Sequence, residues 1–261
     1  MSGFGFRSVA LRLLGGEKGE RRGAGILVLA LVGLLLGLNP PAATGPAPGS
    51  EAGGVLEGRV IFEGAAIPRA TQVENTTDLE GCARLQSLEN IVVSARNRGI
   101  QNVIVALKDV PLPPGYRPPP SRLVLANRDC RFRPHAAVLT IGSRIEVVNS
   151  DPIFHTVHLY SLREQNLAMP PDSSKVVQRV SQPGYIIVKC DIHGWMQAFL
   201  RVDGHPYHSV SGADGRFRIE NIPPGSYTVE VWHEYFGPQE ARVTVEAGSV
   251  SHLTLYYRSP G

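Results

Sequence analysis

The sequence predicts an all-β protein, and two kinds of observation lead to that class. The 261 residues show no long stretch of helical periodicity, and they include 28 glycines and 21 prolines, which favour turns. Short runs of β-branched and aromatic residues lie between these turn signals, as in Gln101–Lys108. Strands at this spacing are typical of a β-sandwich or a barrel.

Residues 1–43 predict a secretory signal peptide. Five basic residues precede an apolar run from Ala24 to Leu38, and small residues and prolines follow it. The run of 15 residues is shorter than the ~20 residues of a membrane span, so we expect cleavage. If it is uncleaved, the segment would tether the protein to a membrane. We therefore expect an exported protein, in the periplasm, the cell envelope or outside the cell.

Removing residues 1–43 makes the remaining chain formally neutral. The segment contains five of the 26 basic residues and two of the 23 acidic ones, which leaves 21 of each. The excess positive charge therefore belongs to the export signal. Because no basic surface is implied, we do not expect a nucleic acid as a partner.

Four segments follow the signal peptide. Residues 44–54 are rich in Gly, Ala and Pro and predict a flexible linker. Residues 55–120 form an N-terminal β segment, which is polar and mostly irregular between 65 and 100. Residues 121–202 and 203–258 each contain a series of strand patterns separated by turns. We expect these last two segments to be two β modules.

Within the third segment, strand patterns surround two irregular stretches. Residues 149–152 have the composition of a turn, and residues 161–175 predict a polar loop with two prolines. Lys175–Val180 and Gly184–Lys189 predict the next two strands. In the fourth segment, Asp214-Gly215 indicates a hairpin turn before strands with one buried face.

The strongest chemical signal is a cluster of metal-binding side chains. Cys190, His193 and Met196 have the spacing C-x2-H-x2-M, and His155 lies upstream. Two imidazoles, a thiolate and a thioether are the ligands of a mononuclear blue copper site. The soft sulfur ligands favour Cu(I), whereas the imidazoles also accept Cu(II). The pattern therefore predicts one copper ion, bound by His155, Cys190, His193 and Met196.

Two alternatives to this ligand set remain open. A zinc site could use the same Cys and His residues with His158, but it would give Met196 no role. Met169 could replace Met196 as the axial ligand. His155 and His158 are three residues apart, so in a strand they point to opposite faces and only one can face the metal.

The chain has three cysteines, an odd number for an exported protein. A thiolate that binds a metal cannot also form a disulfide, so Cys190 is expected to be free. Cys82 and Cys130 are then the candidate disulfide, which an oxidising compartment would allow. Three unrelated buried thiols are the alternative.

Residues 122–202 resemble the cupredoxins in the order of their features. A strand ends in Asn149-x-Asp151, an early His follows, and a late Cys/His/Met loop completes the set. The short ligand loop is similar to that of amicyanin. The resemblance implies a Greek-key β-sandwich with copper at the four ligands above. Two departures are Thr156, where cupredoxins usually have Asn, and Gly194-Trp195 in place of a proline-containing loop.

Residues 203–258 resemble the carboxypeptidase regulatory-like domain, a smaller transthyretin-like β-sandwich. The segments Asp214-Gly-Arg-Phe217 and Pro223-Pro-Gly-Ser-Tyr227 are the basis of this resemblance. The strand patterns near Gly58 and Val103 would also suit this sandwich, so the copper module could be inserted within it. The whole arrangement is similar to exported proteins of the methylamine-utilisation, plastocyanin-like type.

These features together predict an electron carrier that exchanges electrons with redox protein partners. His193 is expected to be the solvent-side port for electrons, with Trp195 shielding the metal or forming a docking surface. No enzyme motif such as a nucleophile elbow, a phosphate loop or His-Glu-x-x-His is present in the sequence. A copper carrier without a redox cycle, or a β module that binds protein or carbohydrate, is the alternative.

Overall fold

The computed structural model describes residues 52–160, 164–177 and 179–258, and this part of the chain is built from β-strands. It contains no α-helix, and therefore none that could cross a membrane. The predicted all-β class is confirmed. The predicted signal peptide and residues 44–51 of the predicted linker lie outside the described residues.

Eighteen strands lie within the described ranges. In chain order they are β1 (Gly54–Phe62), β2 (Gln72–Glu74), β3 (Leu85–Ser87), β4 (Ile104–Lys108), β5 (Arg122–Arg128), β6 (Arg131–Arg133), β7 (Ala136–Thr140), β8 (Arg144–Asn149), β9 (His155–Tyr160), β10 (Gln165–Met169), β11 (Ser174–Val177), β12 (Gly184–Lys189), β13 (Gln197–Asp203), β14 (His208–Val210), β15 (Arg216–Ile222), β16 (Gly225–His233), β17 (Gly237–Val245) and β18 (Val250–Tyr257).

Strands β5 to β13 form a sandwich of two sheets. One sheet has the order β10-β9-β12-β13-β7 and the other the order β11-β8-β5-β6. Alternating apolar side chains from both sheets fill the core between them, among them Leu125, Phe132, Val157, Val188 and Leu200. We call this the first sandwich. The candidate metal ligands lie at one edge of its core.

A second sandwich combines strands from both ends of the described chain. Its sheets have the orders β15-β1-β18 and β14-β4-β16-β17. Its core includes Phe62, Leu107, Phe217, Tyr227 and Val231. Strands β1 and β4 precede the first sandwich in sequence, and β14 to β18 follow it. The chain therefore leaves the second sandwich after β4, builds the first sandwich, and returns at β14.

An apolar cluster joins the two sandwiches. Ile104 from β4 packs with Ala136 and Phe199 from β7 and β13 of the first sandwich. The Trp232 ring of β16 lies 5.1 Å from the Phe199 ring and 5.1 Å from the Tyr185 ring, measured between centroids. Aromatic pairs at this distance stabilise the contact beyond simple burial.

Buried charges surround this cluster. Arg201 donates to Asp203 within β13 at 2.9 Å and to the Tyr185 hydroxyl at 3.1 Å, and it pairs with Glu230 of β16 at 2.9 Å. The other carboxylate oxygen of Asp203 lies 2.7 Å from His208 Nδ1 of β14. Burial of an ion pair is favourable only when its partners are satisfied, as they are here.

Two predicted irregular segments contain strands. The prediction of a loop over 161–175 was wrong for Gln165–Met169, which forms β10 and pairs with β9. It is a five-residue edge strand with one fully buried side chain, so its apolar pattern is weak. Residues 65–100 likewise include the short hairpin of β2 and β3. The strand predicted at Lys175–Val180 is β11, at Ser174–Val177.

Candidate metal centre

Three of the predicted ligands converge in the structure. The Nδ1 atoms of His155 and His193 lie 3.0 Å apart, and Cys190 Sγ lies 3.8 Å from His193 Nδ1. The ligand atoms of all three residues lie within 4.8 Å of one another. The two imidazoles are fully buried and the thiol is 3% exposed. Two imidazole nitrogens and one sulfur facing a shared point suit a copper or zinc ion.

The sheet places these residues together. His155 begins β9, and Cys190 directly follows β12, which is the neighbour of β9. His193 lies in the short turn between β12 and β13. This turn is closed by hydrogen bonds from the Met196 nitrogen to the His193 oxygen (2.9 Å) and from the Cys190 nitrogen to the Met196 oxygen (3.3 Å).

A carboxylate lies within hydrogen-bond distance of Nε2 of each imidazole. Asp151 Oδ2 lies 2.9 Å from His155 Nε2, and Asp78 Oδ2 lies 3.0 Å from His193 Nε2. With Nε2–H donating to a carboxylate, each imidazole presents Nδ1 to the centre, where it can donate to the Cys190 sulfur or, once deprotonated, bind a metal. Neither contact was predicted from the sequence. Asp151 belongs to the turn predicted at residues 149–152, close to His155. Asp78 is far from the candidate ligands in sequence, and no local motif marks it.

The expectation that His193 is the solvent-side port was wrong. Its ring has no exposed surface, because Asp78 covers the Nε2 edge and the Trp195 ring packs 4.9 Å away between centroids. Trp195 is itself fixed by a hydrogen bond from Nε1 to the Cys130 carbonyl oxygen, 3.0 Å long. Trp195 therefore shields the centre from water.

Thr156 occupies the position where cupredoxins usually have Asn. Its hydroxyl accepts a hydrogen bond from the Asp191 nitrogen at 2.8 Å, and its own nitrogen donates to Cys190 Sγ at 3.4 Å. These two contacts join the His155 strand to the Cys190 loop. A threonine therefore connects the two ligand segments in this chain.

The surroundings of Cys190 favour the ionised form of its side chain. Burial alone would raise the pKa of the thiol, but hydrogen bonds from His155 and His193 and from the Thr156 nitrogen outweigh it. The pKa falls from 9.0 to about 5. The pKa of His193 is raised: burial opposes this, and the neighbouring Cys190 and Asp78 cause it. A thiolate at neutral pH is the form that binds metals.

Both candidate axial methionines are buried in the core beside the centre. Met196 is 1% exposed and Met169 is fully buried, and both belong to the core cluster that includes Cys190. Met169 lies directly opposite His155 in the pairing of β10 with β9. Opposite residues of an antiparallel pair point to the same face, so Met169 shares the face of His155.

His158 lies apart from this centre. Its Nδ1 is 3.0 Å from Asp191 Oδ1 and its Nε2 is 2.5 Å from Glu164 Oε1, both exposed carboxylates. Along β9, His155 is buried whereas His158 is only partly buried, as expected for residues three apart in a strand. The zinc alternative that recruits His158 is therefore not the arrangement in this structure.

The remaining cysteines form a disulfide. Cys82 and Cys130 are bonded, with Cα atoms 5.7 Å apart, and Cys190 is a free buried thiol. The bridge attaches the segment before Cys82 to the turn between β5 and β6. Asp151 also binds this turn, because its carboxylate accepts from the Asp129 and Cys130 nitrogens at 2.7 and 3.0 Å.

The comparisons with known proteins give two kinds of match. The family model of the carboxypeptidase regulatory-like domain matches residues 197–257, which extend from β13 to β18. No curated protein matches the sequence. The regulatory-like resemblance is thus confirmed for the C-terminal part of the chain.

Solved cupredoxins are among the structures to which the chain is similar. A copper-containing nitrite reductase of Thermus scotoductus SA-01 is 18% identical with a TM-score of 0.29, over 35% of this chain and 25% of that one. An amicyanin variant in the oxidized state is 18% identical with a TM-score of 0.28, over 31% of this chain and 81% of that one. A purple cupredoxin of Nitrosopumilus maritimus is 12% identical with a TM-score of 0.27, over 31% of this chain and 98% of that one.

Proposed function

We propose that this protein is an exported type 1 copper protein that transfers single electrons between redox partners. The observation that supports this most is the buried group of His155, Cys190 and His193, with both Nδ1 atoms and the sulfur facing one another. This set combines the soft sulfur that Cu(I) prefers with the imidazoles that Cu(II) accepts.

Each residue of the centre has a separate role in this proposal. The Cys190 thiolate is the anionic ligand, His155 and His193 bind through Nδ1, and Met196 is the axial ligand. A bound copper ion would supply a one-electron couple between Cu(I) and Cu(II). Fixed carboxylates and buried side chains hold the ligands, so little rearrangement accompanies the change of charge.

Exposed apolar side chains beside the centre support exchange with a protein partner. Leu79, Phe154 and Ile192 are 52%, 42% and 41% exposed. Each is the chain neighbour of a residue of the centre or of its carboxylate partners. We propose that a redox protein docks here, since small apolar contacts suit brief electron-transfer encounters. The role is that of an electron carrier and not of an enzyme.

Export to an oxidising compartment agrees with this proposal. The Cys82–Cys130 disulfide is a feature of proteins that function in the periplasm, the envelope or outside the cell. The N-terminal segment of the sequence would direct the chain there and would then be cleaved. The second sandwich would dock the copper module to a partner or an envelope surface.

A visible spectrum with Cu(II) tests the copper site first. We expect an intense thiolate-to-copper band in the wild type and none in Cys190→Ser. Voltammetry of the copper-loaded protein should then show a reversible couple. A coloured protein without a reversible couple would indicate a copper carrier, and a colourless one would indicate a zinc or metal-free binding module.

A further inference from the structure

A short segment from outside the strands of the first sandwich covers its metal centre. We call this segment, Asn75–Cys82, the strap. It lies between β2 and β3, and hydrogen bonds from the Gly81 and Cys82 nitrogens to the Asp78 oxygen, 3.0 and 2.8 Å long, close its turn. The disulfide to Cys130 attaches its end to the first sandwich.

The strap lies in direct contact with the sandwich. A Cβ atom added at Gly81 would come within 2.4 Å of Ile153 Cγ2, so only glycine allows this approach. Asn75, at the other end, is 1% exposed, and its Oδ1 accepts from the Thr77 nitrogen at 2.9 Å. Both ends of the strap are therefore buried, since Cys82 is only 2% exposed.

The strap directs one carboxylate to a ligand. Asp78 has a φ of 50°, a left-handed conformation that Asp adopts more readily than most residues. Its Oδ2 lies 3.0 Å from His193 Nε2, and its side chain remains 36% exposed while the imidazole is fully buried. The Asp78 carboxylate therefore lies between the buried imidazole and the solvent.

We propose that Asp78 is a positioning residue of the metal centre, supplied by the strap and held in place by the Cys82–Cys130 disulfide. By accepting the Nε2–H of His193, it fixes the ring orientation that presents Nδ1 beside Cys190. The proposal rests on the copper site proposed above, and it extends that site to a segment far from the four ligands in sequence. Carboxylate partners of this kind strengthen metal binding through the imidazole.

Three variants separate positioning from a general effect of charge or folding. Asp78→Gly removes the carboxylate without strain, because glycine accepts the positive φ. Asp78→Asn retains a neutral acceptor of similar shape. Glu80→Gln is the matched control, since Glu80 is an exposed residue of the same strap and its change removes the same charge.

The first measurement is metal affinity, by competition of the full protein with a chromophoric chelator for Cu(II) and, separately, for redox-inert Zn(II). We expect the Asp78→Gly variant to bind both ions about 10- to 100-fold more weakly, the range found for such partners of metal-bound His. Asp78→Asn should lie between it and the wild type, and Glu80→Gln should match the wild type. Equal affinities in the wild type, Asp78→Gly and Glu80→Gln would overturn the proposal.

The second measurement uses the metal-free protein. Nitrogen-15 NMR of the histidine rings should show a slowly exchanging Nε2–H for His193 in the wild type and in Glu80→Gln. The signal should be lost in Asp78→Gly, and its persistence there would contradict the positioning role. If copper shows no reversible couple but Asp78→Gly still weakens Zn(II) binding, electron transfer fails and the positioning role stands.

Discussion

Thr156 Oγ1 lies 2.8 Å from the backbone nitrogen of Asp191, and this hydrogen bond joins the strand of His155 to the loop of Cys190. The two ligand segments are 35 residues apart in sequence at this contact. Because the Thr156 nitrogen also donates to Cys190 Sγ, one residue fixes both the loop and the sulfur. Thr156 therefore adds two hydrogen bonds to the pairing of β9 with β12, which already places His155 beside Cys190.

Replacing Thr156 with valine should loosen this connection. Valine has the same shape but leaves the Asp191 nitrogen without its acceptor, so we expect the free energy of unfolding to fall by about 1 kcal/mol. Copper should also dissociate faster. Denaturant unfolding and stopped-flow transfer of copper to a chelator measure these two effects. Thr156→Ser keeps the hydroxyl and is the control; equal losses in both variants would exclude the hydrogen bond as the cause.

Leucine substitutions should distinguish the two buried methionines. If Met196 is the axial ligand, Met196→Leu removes a thioether donor that stabilises Cu(II), and the reduction potential should rise. Met169→Leu conserves volume at a fully buried position and should leave the potential nearly unchanged. Voltammetry of the two variants compares them directly. The opposite pattern would assign the axial position to Met169, which lies across from His155.

The stability of the metal-free protein should depend on pH through Cys190. Its pKa is about 5 in the folded protein, against an ordinary value of 9.0. Between pH 5 and pH 9 the thiol is therefore protonated in the unfolded chain but ionised in the folded protein. The thiolate's contribution to stability is complete above pH 9. This contribution should decline as the pH falls towards 5.

Denaturant midpoints measured across this range, in the presence of a chelator, check the effect of the thiol. The Cys190→Ser variant should lose this part of the pH dependence, together with the part of the raised His193 pKa that Cys190 causes. Parallel curves for the wild type and the variant would show that the thiol titrates normally in the fold. Ultraviolet absorbance of the thiolate gives an independent reading of the same pKa.

Loss of the disulfide should affect both the fold and the metal centre. The double variant Cys82→Ser/Cys130→Ser opens a loop with a sequence separation of 48 residues. We expect it to lower the free energy of unfolding by about 2–5 kcal/mol. Because the strap is then released, copper affinity should also fall. Unchanged affinity in a folded double variant would show that the strap stays in place without the bridge.

The buried ion pairs should couple the two sandwiches. Arg201→Ala would leave the buried Asp203 carboxylate with His208 alone and would remove the ion-pair partner of Glu230 in β16, so we expect a loss of about 3–5 kcal/mol in the free energy of unfolding. Arg122→Ala is the control, because Arg122 is 69% exposed in its ion pair and should cost at most about 1 kcal/mol. We expect calorimetry to show one unfolding transition for the wild type and two for Arg201→Ala; a single transition in both would show that these ion pairs do not couple the sandwiches.

The sequence by itself determined the all-β class and identified the candidate ligands. Turn residues and period-two alternation are local patterns, and Cys190, His193 and Met196 lie within seven residues, so their spacing is visible without a fold. The edge strand β10 was not predicted, because it lacks such a local pattern. Its residues show no alternation of apolar and polar side chains that would distinguish a strand from a loop.

Only the tertiary structure decided how the centre is covered and oriented. Asp78 reaches His193 across 115 residues of sequence, from a strap that has no recognisable pattern of its own. The burial of His193 follows from that contact and from Trp195, which is why its expected exposure was wrong. Contacts of this kind depend on how distant segments pack, and no local period or motif in the sequence encodes them.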